Sequence, residues 1–191
     1  MCGRYGADDK VNEWLTRRCR GDLAGLLRAG DIRPGERVPA LVAGLPAPRV
    51  LPMTWGIRSN GSLIINARKE TIAEKPTFRH LIQNRRCLLP ASRFYEWDSE
   101  KHKAAFCGED AGILFLAGVY RPEPEGGRFV VITAPADKTV APVHDRMPVL
   151  IPEAFIDDWL SDAGRAKELL NAVAVPLRRE RDTEQLCLWN E

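Results

Sequence analysis

Cys2 offers more chemistry than any other residue of this chain, because only Met1 precedes it. Cysteine is small enough for an initiator Met to be trimmed, and the mature chain would then begin with an α-amine and a thiol on one residue. A free α-amino group has a pKa of about 7.7–8, against about 10.4 for Lys, so about a tenth of it is reactive neutral amine at neutral pH. Such a residue can condense with an aldehyde and add its thiol to the imine. It can equally attack an amide carbonyl. Residue 2 alone leaves both open.

Glu96 sits in Phe94-Tyr95-Glu96-Trp97, a carboxylate among three aromatics on an expected strand. On an inward face, burial would raise its pKa toward a useful acid–base range. On an outward face it would be a solvated charge. His144, in His144-Asp145-Arg146-Met147-Pro148-Val149, follows the loop Thr139–Val143 and is a general acid/base candidate. Asn66 and Arg68 fall at the end of the apolar run Leu63–Ile65 and, at a period of two, share a face. They read either as site residues or as a turn Asn and a solvated Arg. Arg68 and Arg146 carry guanidinium forks that match phosphate oxygens. Trp55 suits stacking on a base or filling a core, whereas Trp14, Trp159 and Trp189 read as core.

The elements that must position these residues are mostly strands. Asp8 and Asp9 predict the start of a helix with Val11, Trp14 and Leu15 on one face, and a second short helix carries Leu23, Leu26 and Leu27. Residues 31–39, with two Pro and one Gly, predict an irregular loop. Expected strands are Ala40–Ala43, Val50–Ile57, Leu63–Ala67, Cys87–Leu89, Arg93–Asp98, Ile113–Tyr120, Phe129–Ala134 and Val149–Ile151. Further helices are expected at Thr77–Asn84, Glu153–Leu160 and Ala163–Val173. Many short strands without βαβ alternation predict an α+β protein with an antiparallel, barrel-like sheet core and a few peripheral helices, in a single domain over residues 1–191. They exclude a Rossmann or TIM architecture.

Composition narrows the class. The 191 residues are 45% hydrophobic and 28% charged, ordinary for one globular core. No apolar run approaches the ~18–20 residues of a membrane span, and no signal-peptide layout opens the chain, so the expected place is the cytoplasm. Five scattered cysteines (Cys2, Cys19, Cys87, Cys107, Cys187) without a Cys-x-x-Cys pair, and three histidines, argue against structural zinc. Cys19, Cys87, Cys107 and Cys187 read as reduced, mostly buried thiols. A net charge of +2 gives little global support to a nucleic-acid partner, and the clusters Arg17/Arg18/Arg20, Arg85/Arg86 and Arg178/Arg179/Arg181 read as solvated faces.

The ordered set is more telling than its parts. Met-Cys-Gly-Arg at the start, Asn66-Ala67-Arg68-Lys69-Glu70-Thr71, Arg86-Cys87-Leu88-Leu89-Pro90-Ala91 followed by Phe-Tyr-Glu-Trp, then Ala117-Gly118, Thr133 and His-x-Arg-Met-Pro-Val resemble the SRAP family, the abasic-site processing proteins. The resemblance implies covalent capture of the C1′ aldehyde of a ring-opened abasic site in single-stranded DNA. The Cys2 amine would form a Schiff base and its thiol would close a five-membered thiazolidine, an intramolecular step with a high effective concentration. It implies catalytic roles for Cys2, Asn66, Glu96 and His144, and DNA contacts by Arg4, Pro34, Trp55, Arg68, Thr133, Arg146 and Met147. It further implies weak lyase activity, a peptidase activity confined to removal of Met1 or release of the adduct, no metal or organic cofactor, a monomer, and association with the nucleoid during repair.

Two rivals remain. An N-terminal-nucleophile glutaminase also begins Cys-Gly, but this chain has no Asn-Gly-Glu segment for an oxyanion hole. A non-catalytic single-stranded DNA-binding module would have no need of Cys2, Asn66, Glu96 and His144 together.

Overall fold

Strands dominate, as the short alternating apolar runs require. The computed structural model describes residues 2–59, 61–124, 126–172 and 175–180. In chain order the elements are β1 (Arg4–Ala7), α1 (Asp9–Arg18), β2 (Gly30–Ile32), β3 (Arg37–Val42), β4 (Arg49–Trp55), β5 (Ile57–Ser59), β6 (Ser62–Ile64) and β7 (Asn66–Arg68). There follow α2 (Arg79–Asn84), β8 (Arg86–Ala91), β9 (Arg93–Trp97), β10 (Lys103–Gly108), β11 (Leu114–Arg121), β12 (Arg128–Pro135) and β13 (Arg146–Pro148). A 3₁₀ turn (Glu153–Phe155), α3 (Ile156–Ser161), α4 (Ala163–Ala172) and β14 (Leu177–Glu180) complete them.

Two sheets carry the architecture. One runs β14-β10-β9-β1-β2 and is antiparallel throughout. The other runs β11-β8-β3-β4-β12-β13, and β12 also pairs with β11, which closes five strands into a ring. Among the named strands of the described residues, the pairings of β12 with β4 and with β7 are parallel and the others antiparallel. Closing a sheet removes its exposed edges, so the ring needs no covering layer along its length. The fold is therefore α+β with a mainly antiparallel, barrel-like core, as expected.

One cluster of buried apolar side chains runs through both sheets, with Tyr5, Phe94 and Phe106 from the first and Leu41, Phe115 and Phe129 from the ring. The helices are peripheral. Asp8 caps α1 by accepting from the Val11 N–H at 3.1 Å, and Val11 and Leu15 are the buried residues of that helix. Arg86, expected on a solvated face, is instead buried. Its guanidinium donates to the carbonyls of Ile82 (3.0 Å) and Gln83 (2.5 Å) in α2 and of Trp159 (2.5 Å) and Leu160 (3.2 Å) in α3. It satisfies C-terminal carbonyls of two helices at once and ties both to β8.

Several expectations shift. The Leu23–Leu27 stretch forms a turn, not a helix, because Gly25 within it and Gly21 just before it hold positive φ. Residues 31–39 are largely strand, with a tight turn at Arg33–Glu36 in which Gly35, at φ +90°, supplies the left-handed position after Pro34. The strand expected at Val149–Ile151 lies earlier, at β13, and Leu150 keeps a single bridge to Leu116. Strands β1, β2, β10 and β14 were not expected at all. Val173, Arg181, Cys187 and Trp189 lie outside the described residues. No helix among the described residues is long and apolar enough to cross a membrane.

Candidate active site

The candidate residues come from both sheets and meet where β1 and β9 approach β7, β12 and β13. In β9 burial alternates, with Phe94 and Glu96 inward and Arg93, Tyr95 and Trp97 half-exposed. Glu96 is thus on the inward face, 1% exposed. Burial pushes its carboxyl up to about 7, and the Asp145 carboxylate adds to the rise. A group poised there can give or take a proton near neutrality. Cys2, two residues before the start of β1, is fully buried. Its thiol is held well above the ordinary range, first by burial and then by the charge of Glu96, and it points to the Arg4 carbonyl at 3.7 Å.

Asn66 opens β7, where Ala67 is buried between it and the exposed Arg68, so Asn66 and Arg68 do share a face. Strand β7 lies parallel to β12, with Asn66 opposite Val131 and Arg68 opposite Thr133. From there the Asn66 side-chain amide donates to the Cys2 carbonyl at 2.9 Å. That bond ties the N-terminal segment of one sheet to the ring of the other.

His144 and Arg146 flank the start of β13, which pairs with β12 on the far side from its partners β4 and β7. The Arg146 backbone N–H donates to His144 Nδ1 at 3.0 Å. Asp145 Oδ1 also stands 3.1 Å from that nitrogen, a contact that would need a proton on Nδ1. A backbone N–H can only donate, so the bond from Arg146 fixes Nδ1 as an acceptor and leaves the ring proton on Nε2. Asp145 is mostly exposed.

The arginines are anchored by acids that the sequence reading did not single out. Arg146 makes a two-pronged pair with Glu70 (Nη1–Oε1 2.7 Å, Nη2–Oε2 3.0 Å) and also donates to the Thr133 carbonyl at 2.7 Å. Arg4 pairs with Asp31 at 3.2 Å and lies over the Trp97 ring at 5.1 Å. Side-chain polar atoms that are buried without a hydrogen-bond partner among the described residues include Arg4 Nε, Asn66 Oδ1, Thr71 Oγ1 and Arg146 Nε. Buried polar groups are normally satisfied, and three of these four residues, Arg4, Asn66 and Arg146, are candidate site residues.

Other expected contacts move. Trp55 is fully buried, its ring stacked on Phe129 at 6.0 Å and tilted against Tyr5 at 5.3 Å, with its indole N–H donating to the Ile65 carbonyl at 2.9 Å. It offers no face to a base and fills the core. Thr133 is also fully buried, and its hydroxyl faces Arg146 Nη2 at 3.3 Å, so it braces that arginine. Pro34 is half-buried in its turn, which the Gly35 N–H fastens to the Trp55 carbonyl at 2.8 Å. Met147 is half-buried, its sulfur accepting from the Asp137 N–H at 3.3 Å. Among the described residues no three His, Cys, Asp or Glu side chains gather as a metal site.

Comparison with known proteins places this geometry. The chain is 26% identical over 198 residues to the abasic site processing protein YoqW of Bacillus subtilis, covering 92% of this chain and 87% of that one. It is 26% identical over 185 residues to the abasic site processing protein YedK of Escherichia coli, covering 88% and 83%. A crystal structure of a phage-related protein from Bordetella bronchiseptica superposes with a TM-score of 0.73 at 26% identity, over 95% of each chain. A family model described as SOS response associated peptidase (SRAP) matches residues 1–186. The chain therefore belongs to the SOS response associated peptidase family.

Proposed function

We propose that this protein processes abasic sites in single-stranded DNA by capturing the ring-opened sugar covalently on Cys2 after removal of Met1. The observation that carries the reading is the bond from Asn66 to the Cys2 carbonyl, which holds Cys2 beside a buried Glu96 poised near neutrality. The relatives named abasic site processing proteins support it.

The chemistry balances with the residues present. The Cys2 amine adds to the C1′ aldehyde, and Glu96 as an acid protonates the carbinolamine oxygen, which leaves as one water. The Cys2 thiol then adds to the C=N carbon while its proton passes to the nitrogen, with Glu96 the carrier. The product is a thiazolidine joined to the DNA. A thiol kept protonated by burial suits this order, because it withholds the sulfur until the imine stands next to it. His144, with its proton on Nε2, serves the sugar as a donor. Asn66 orients Cys2 and the sugar. Arg4, Arg68 and Arg146 serve the flanking phosphates, and Pro34 and Met147 the neighbouring bases.

The imine intermediate also permits β-elimination, hence weak lyase activity, and hydrolysis of the adduct or loss of Met1 accounts for a peptidase label. The reading extends to one domain over the whole chain that works as a monomer, without metal or organic cofactor, in the cytoplasm and at damaged DNA. Incubation of Met-trimmed protein with single-stranded DNA bearing an abasic site, followed by a denaturing gel, tests it. A heat-resistant shifted band that is lost in Cys2→Ala is expected. No adduct from the trimmed protein sinks the reading, and glutamine-dependent ammonia release would favour an amidohydrolase.

A further inference from the structure

We infer that Asp31 and Glu70 are internal competitors of DNA phosphate, each occupying one of the arginines beside the reacting residues. This rests on the reading of the site as a single-stranded DNA site. Arg4 is two residues from Cys2, and Arg146 is two residues from His144 and bonded to it through the backbone. Guanidinium groups in those positions are natural anchors for the phosphates either side of a captured sugar. Both are already engaged by an acid. Glu70 takes both Nη atoms of Arg146, and Asp31 takes Nη1 of Arg4.

The latched arrangement leaves each arginine with a defect. The Nε–H of Arg4 and the Nε–H of Arg146 are buried without a partner among the described residues. A carboxylate offers two oxygens, whereas a backbone phosphate offers two non-bridging oxygens and two ester oxygens on a tetrahedral centre that can span the Nε and Nη edges. Exchange of carboxylate for phosphate therefore has an electrostatically matched partner and an unsatisfied donor to gain. The carboxylates stand on segments that can yield: Glu70 is 41% exposed and lies in the turn after β7, and Asp31 is on the edge strand β2.

The consequence is specificity. Intact single-stranded DNA must displace both acids with phosphate contacts alone and so binds weakly. An abasic strand adds a covalent bond to Cys2, which draws the exchange forward. Asp31 and Glu70 thereby discriminate a lesion from the excess of undamaged single strand.

The test is equilibrium binding of an undamaged single-stranded oligonucleotide, across a salt series, to the full chain and to Glu70→Gln and Asp31→Asn. Glu13→Gln, on α1, removes the same charge from an exposed pair with Arg17 and serves as the control. The two site variants are expected to bind about three- to fivefold more tightly at low salt, the scale of one ion pair. Their log–log salt slopes are expected to steepen by about 0.7 for each arginine released to a phosphate. Affinities that fall, or rise no further than in Glu13→Gln, overturn the inference and make the two acids simple braces. The abasic-site gel on the unmodified chain separates the two claims: an adduct there with unchanged binding in the variants removes this inference alone.

Discussion

The side-chain amide of Asn66 donates to the main-chain carbonyl of Cys2 at 2.9 Å, and through it the start of one sheet is fixed against the ring formed by the other. Cys2 precedes β1 and has no strand partner of its own, so Asn66 sets where its amine and thiol lie. Asn66→Ala should lower the single-turnover rate of adduct formation by about 10²-fold, the effect of a small misplacement of a reacting group. Stability should fall by only about 1 kcal/mol, the net worth of one hydrogen bond. Urea denaturation alongside quenched-gel kinetics would check both. A rate loss no larger than the stability loss implies would remove the positioning role.

Glu96 makes stability depend on pH in a specific direction. Its carboxyl is raised from 4.5 to about 7, so the folded chain holds this proton more tightly than the unfolded one does. The protonated state contributes fully below about pH 4.5, and that contribution is lost as pH rises through about 7. Glu96→Gln keeps a neutral, similarly shaped side chain and has no such loss. The variant should therefore gain on the wild type between pH 4.5 and 7, by an amount on the order of 3 kcal/mol at the upper end. Urea midpoints for both chains at several pH values measure it. A constant difference across that range would argue that Glu96 is not desolvated.

The same residue marks how far the sequence could be read. Alternation of aromatics around Glu96 left its face open, and only pairing of β9 between β1 and β10 settles it inward. Strands β1, β10 and β14 escaped notice for a physical reason: Arg-Tyr-Gly-Ala, Lys-Ala-Ala-Phe-Cys-Gly and Leu-Arg-Arg-Glu have little intrinsic β preference and form because neighbouring strands offer them ladders. Cys2, Asn66, Glu96 and His144 were legible as an ordered set. Asp31 and Glu70 were not legible as partners of Arg4 and Arg146, because ion pairs between segments far apart in sequence leave no local pattern.

Trp55 separates core from DNA surface. Its indole is stacked on Phe129 and bonded to Ile65, with no exposed face. Trp55→Ala should destabilise the fold by about 3–5 kcal/mol, the range for emptying a large aromatic site. Trp55→Phe keeps most of the packing and loses the bond to Ile65, so it should cost less and leave affinity for single-stranded DNA unchanged. Calorimetry with a binding titration on the folded Trp55→Phe chain decides this. Weaker DNA binding there, at unaltered fold, would return the residue to the DNA surface.

His144 can be divided by substitution, because its two ring nitrogens do different things. Nδ1 accepts from the Arg146 N–H and shapes the entry to β13, while Nε2 carries the proton assigned to the reaction. Asn at this position places a carbonyl oxygen near Nδ1 and nothing at Nε2. Gln places its amide near Nε2 and gives up the acceptor at Nδ1. His144→Asn should keep the wild-type melting temperature within a degree or two and slow adduct formation by about 10²-fold, the usual contribution of a proton-transferring side chain. His144→Gln should show the reverse balance, a lower melting temperature with more of the rate retained at temperatures where it is folded. Melting curves and single-turnover kinetics on the two variants give the comparison. A rate kept in His144→Asn and lost in His144→Gln would mean that the ring acts only through its bond to Arg146, and the proton would have to be carried by Glu96 alone.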